Sequence, residues 1–78
     1  MTRDEAVKIV MEMLEKNVEG LNMTEDKMSK TLSAIGVDSL DVMLMIMDVS
    51  EATGVEISDD QAEALNTPDK IVEFVISQ

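Results

Sequence analysis

Helix starts are written into this 78-residue chain four times, and together they leave little room for any other fold class. Thr2-Arg3-Asp4-Glu5 and Ser58-Asp59-Asp60-Gln61 read as capping boxes. In such a box a hydroxyl accepts from the backbone N–H three residues on, and the side chain at that position reaches back. Asp38-Ser39-Leu40-Asp41 offers Asp38 as an N-cap, with Asp41 placed to return the bond and to complement the positive end of the helix dipole. Thr67-Pro68-Asp69 combines N-cap, N1 proline and first-turn acid. Apolar residues follow each start at helical spacing: Val7, Val10 and Leu14; Val42, Ile46 and Val49; Ala62 and Leu65; then Ile71, Val72, Val75 and Ile76. Gly20 and Gly54 stand where the first two helices should stop. The expected fold is all-α, a small antiparallel bundle of three main helices plus one short helix. A long loop over residues 18–37 separates the first two, and a loop of that length in so small a domain is often functional.

A chain of this size makes one domain, residues 1–78, and cannot bury a multi-layer enzyme core. Phe74 is its only aromatic residue, so the core must be aliphatic and thioether, with eight methionines available to fill irregular gaps. The absence of cysteine removes disulfides and any thiolate of the chain's own. The absence of histidine removes a serine–histidine triad and histidine-based zinc sites. No stretch fits the twelve-residue calcium loop, so Asp59-Asp60 and Glu25-Asp26 offer at most weak surface sites. No apolar run approaches the roughly 20 residues of a membrane span, and Met-Thr-Arg-Asp-Glu is no signal-peptide core. A cytosolic monomer is the plain expectation.

Charge narrows the search for a site. Six basic and 17 acidic residues give a net charge of −11, which repels nucleic acid and favours basic protein partners. Residues 1–37 carry five basic and seven acidic side chains, a balance of −2; residues 38–78 carry Lys70 against ten acids, a balance of −9. The change falls at Asp38-Ser39-Leu40. Helix two is also more apolar than a thin domain requires. Beyond the face of Val42, Ile46 and Val49, a second apolar stripe runs along Leu40, Met43, Leu44 and Met47, ending at Glu51, while Asp41, Met45, Asp48 and Ala52 share a third face. Two readings of Ser39 stand on spacing alone. Either it is itself the N-cap, or Asp38 caps and the Ser39 hydroxyl is left free at a helix N-terminus that favours an attached phosphate.

Gly36-Val37-Asp38-Ser39-Leu40-Asp41 resembles the Gly-x-Asp-Ser-Leu signature of the acyl carrier proteins. The likeness runs without a gap through Glu56-Ile57-Ser58-Asp59-Asp60 to Thr67 and Phe74, nearly the whole chain. The resemblance implies a non-catalytic, stand-alone carrier of a discrete fatty-acid or related synthase. It implies a 4′-phosphopantetheine arm on Ser39, added from coenzyme A by a phosphopantetheinyl transferase and supplying the thiol the chain lacks. It further implies docking of acyltransferases, ketosynthases and other synthase enzymes through basic patches. Asp38 and Asp41 match the family's acidic pair, Leu40 and Met47 match apolar contact positions, and Asp48 and Glu51 could extend the surface. Ile46 and Val49 are expected inward with Ile57, Leu65 and Val72, lining an acyl-chain cleft that the long loop and last helix would open, with Phe74 the one large ring able to obstruct it. The family often has phenylalanine and acids before its Leu-Gly, where this chain reads Thr31-Leu32-Ser33-Ala34-Ile35-Gly36, and often an acid at the position of Leu44. Both departures leave the arm site intact, weaken the negative surface and point away from the standard partner set. A polyketide, aminoacyl or specialised lipid cargo stays open, as does an unmodified acidic interaction domain.

Overall fold

The computed structural model describes all 78 residues, Met1–Gln78, and its regular elements are helical. They are α1 (Arg3–Asn17), α2 (Ser39–Thr53), α3 (Asp59–Ala64) and α4 (Pro68–Ile76), with two short 3-10 turns, Glu25–Ser29 and Ser33–Ile35, inside the α1–α2 connection. Three main helices and one short one are what the start signals predict.

The caps form as the side-chain chemistry requires. Thr2 Oγ1 accepts from the Glu5 N–H at 3.2 Å, and Glu5 Oε1 accepts in return from the Thr2 N–H at 2.8 Å. Ser58 and Gln61 repeat the arrangement at 3.2 and 2.9 Å. Thr67 Oγ1 accepts from the Lys70 N–H at 3.1 Å, with Pro68 at the first helical position. At α2, Asp38 caps but Asp41 makes no return bond. An aspartate is one methylene shorter than the glutamate or glutamine that closes a capping box. Gly54 ends α2 in the left-handed region at φ 73°, where its N–H donates to the Ser50 carbonyl at 2.9 Å.

α1 supplies the central stripe. Ala6, Val10 and Leu14, four residues apart, are fully buried, and the helix packs on both α2 and α4. Ile71, Val72 and Val75 of α4 complete one side of the core, and Met45, Ile46 and Val49 of α2 complete the other. Met45, on the stripe shared with Asp41, Asp48 and Ala52, is fully buried. It lies three residues before Asp48, whose carboxylate bonds Asn17 of α1, so this face turns toward α1 rather than solvent.

The long loop is pinned rather than free. Met28, Leu32 and Val37 enter the core from it. The Leu32 N–H donates to the Asn66 carbonyl at 2.9 Å, and the Val37 N–H donates back to the Leu32 carbonyl at 2.9 Å, a turn closed by Gly36 at φ 90°. These bonds hold the Ser33–Ile35 turn against the end of α3, opposite the start of α2. α3 itself has no fully buried residue, and its anchor is Leu65 just beyond its end.

Candidate functional site

Asp38 adopts extended backbone (φ −87°, ψ 175°), and its Oδ1 accepts the Asp41 N–H at 3.0 Å. That settles which residue is the cap. Ser39 takes the first helical position with an exposed side chain. Its own N–H and that of Leu40 lie in the first turn, where no intrahelical acceptor exists, so the α2 N-terminus offers donors and a positive dipole end to an anion on the hydroxyl.

Ser39 stands on the lip of a cleft of about 610 Å³. Leu32 and Val37 of the loop, Val42 and Met43 of α2, and Ala62 and Leu65 at α3 form its apolar walls. Asp59 and Glu63 sit at the α3 rim, and Ser33 faces it from the loop. A second cleft of about 280 Å³ continues along α2 past Ile46, Met47 and Ile57, and Val42, Met43, Asp59 and Ala62 border both. Of the expected cleft residues, Leu65 lines the first and Ile46 and Ile57 line the second. Val49 and Val72 line neither; both are fully buried in the core that α1 shares with α2 and α4. The cleft walls come from α2, the loop and α3, with none from α4, and Phe74 borders neither space. Val42 and Met43 had a legible signal: three and four residues past Ser39, they lie one turn beneath its hydroxyl.

The outward face of α2 is more apolar than expected. Leu40, Met43, Leu44 and Met47 are 65%, 60%, 44% and 63% exposed, so the whole stripe faces solvent rather than Leu40 and Met47 alone. Asp38 stands at one end of it, and exposed Glu51 lies at the other; Asp41, half-buried, flanks the start. Asp48 leaves this set. Its side chain is only 22% exposed; Oδ2 accepts from Asn17 Nδ2 at 2.8 Å and pairs with Lys16 Nζ at 3.4 Å. The Asn17 hydrogen bond, aided by the Lys16 charge, holds its carboxyl below the ordinary carboxylate value. Asp48 is therefore a fastener between α1 and α2. Of the ten acids after residue 37, Glu73 and Asp48 pair with cations of α1, Arg3 and Lys16; the other eight, 10 − 2, have no ion-pair partner.

The family model described as a phosphopantetheine attachment site matches residues 6–75. The chain belongs to the acyl carrier protein family. Relatives named acyl carrier protein agree. The one from Sulfurovum sp. is 41% identical over 61 residues, covering 74% of this chain and 81% of the relative. That from Buchnera aphidicola is 36% identical over 73 residues, covering 88% and 91%. That from Lactobacillus johnsonii is 32% identical over 80 residues, covering 99% and 96%. The cofactor of this carrier family is phosphopantetheine, and the α2 start fits it on three counts: a free hydroxyl, unpaired first-turn N–H groups and an apolar cleft at the hydroxyl's side. No helix is long and apolar enough to cross a membrane.

Proposed function

We propose that Ser39 bears the phosphopantetheine arm and that residues 1–78 act in the cytosol as one carrier domain of a discrete fatty-acid or related synthase. The arm supplies a terminal thiol that holds acyl groups as thioesters. The observation that carries this reading is the exposed Ser39 hydroxyl, released from capping by Asp38 and set on the lip of the larger cleft.

Each neighbouring residue has a task that needs no catalysis. Asp38 fixes the start of α2 and so the direction of the hydroxyl. Val42, Met43 and Leu65 offer apolar walls that shelter an acyl chain from water. A serine without an imidazole or thiolate nearby cannot activate itself, so bond making and breaking fall to partner enzymes. Leu40, Met43, Leu44 and Met47, with Asp38 and Asp41 at one end and Glu51 at the other, form the surface those partners read. Its chemistry fits an apolar depression rimmed by Lys and Arg, first on the phosphopantetheinyl transferase and then on acyltransferases and ketosynthases.

The test is loading. Incubated with coenzyme A and a broad-specificity phosphopantetheinyl transferase, the chain should gain the mass of one phosphopantetheine, and a folded Ser39→Ala variant should gain none. A wild-type chain of unchanged mass would overturn the proposal.

A further inference from the structure

Three methionines fall within five residues of α2, and the fold treats them in opposite ways. Met43 and Met47, one turn apart, are among the most exposed large apolar side chains of the molecule, while Met45 between them is fully buried. Met28 is buried as well, and Met11, Met13 and Met23 are half-buried against the core. Met43 also borders both clefts, and Met47 borders the second. Both thioethers therefore belong to the exposed face of α2 and to apolar cleft walls, Met43 in the cleft beside Ser39 and Met47 in the one that continues it.

We propose that Met43 and Met47 form a reversible oxidation site that switches the α2 face from apolar to polar. The co-reactant is a peroxide. The thioether sulfur attacks one peroxide oxygen, an S–O bond forms as the O–O bond breaks, and the departing hydroxide leaves as water with the proton of the transferred oxygen. Sulfur loses two electrons and the peroxide gains them. Reversal by a methionine sulfoxide reductase consumes two thiols and releases one disulfide and one water. Exposure decides the order of attack, because a peroxide must reach the sulfur. The product is a polar, hydrogen-bond-accepting sulfoxide on a face whose contacts are otherwise hydrophobic. Two sulfoxides one turn apart place this polarity at the centre of the stripe, between Leu40 and Glu51, where water exclusion matters most for a docked partner.

The inference rests on the carrier reading, and one experiment separates the two. The full chain is titrated with hydrogen peroxide until about three oxygens are added, mapped by peptide mass spectrometry, and then offered coenzyme A and the broad-specificity transferase. Met43 and Met47, together with exposed Met1, should oxidise well before Met45 and Met28. Loading kcat/KM should fall about fivefold with the far-ultraviolet helix signal retained, and sulfoxide reductase should restore it. A doubly substituted Met43→Leu, Met47→Leu chain still carries Met1, and its loading rate, whatever its starting value, should be the same before and after peroxide. Oxidation of Met45 at the pace of Met43, loss of helix signal, or unchanged loading after oxidation would each overturn the switch. A chain that fails to load before any peroxide is added would overturn the carrier reading and the switch with it.

Discussion

Ser39 and Asp38 show how much hangs on one rotamer at a helix start. Both residue types cap helices well, and the spacing of Asp38-Ser39-Leu40-Asp41 is compatible with either, so sequence left the cap undecided. The 3.0 Å bond from the Asp41 N–H to Asp38 decides it and frees the hydroxyl. Asp48 was illegible for a different reason. Its position on a helical wheel is that of a surface acid, and only the placement of Asn17, 31 residues away, draws it into the α1–α2 seam. A consequence follows for pH. The folded-state pKa of Asp48 is depressed, so its stabilisation is complete above the ordinary carboxylate value of 3.8 and is lost as pH falls through the lower folded value. Asp48→Asn should therefore lower the melting temperature at pH 7. Melting curves recorded stepwise down to strongly acidic pH should show the gap to wild type closing, and a gap constant with pH would contradict the assignment.

Among the elements, the four helices were legible because their start signals are local and act within one turn. The two 3-10 turns of the α1–α2 connection were not. Three to five residues carry no measurable period, and their placement depends on the long-range bond from the Leu32 N–H to the Asn66 carbonyl. α2 was legible as a helix and in its rotation, with Ile46 and Val49 inward and Leu40 and Met47 outward, but not in the burial of Met45, of which its residue type gives no sign. Two caps separate stability from function. Thr67→Ala removes the α4 cap at a residue that lines neither cleft and should cost about 1 kcal/mol in denaturant unfolding while loading proceeds at the wild-type rate. Asp38→Ala removes a cap together with an acid proposed to dock partners, so it should cost about as much stability and also slow loading. Leu14→Ala, in the fully buried α1 stripe, should cost about 2–5 kcal/mol, measured in the same way.

For the whole molecule, a net charge of −11 is a burden on folding and an aid to recognition at once. Eight unpaired acids after residue 37 repel one another in the native state, while in the proposed function those flanking the α2 stripe attract basic partners. Added salt screens both effects. It should raise the melting temperature at neutral pH and slow transferase loading over the same range. Loading indifferent to salt would make the apolar stripe, with Met43 and Leu44 in it, the dominant contact. The charge asymmetry begins at Asp38, at the start of α2, yet its largest unpaired group, Glu56, Asp59, Asp60 and Glu63, lies on and before α3, across the clefts from α2.

The chain has six serines, and Ser33 borders the same cleft as Ser39. Peptide mapping of the loaded wild-type chain by fragmentation mass spectrometry therefore tests the central claim directly. Phosphopantetheine is expected on Ser39 and on no other serine; a group found on Ser33, or on none of the six, would overturn the assignment.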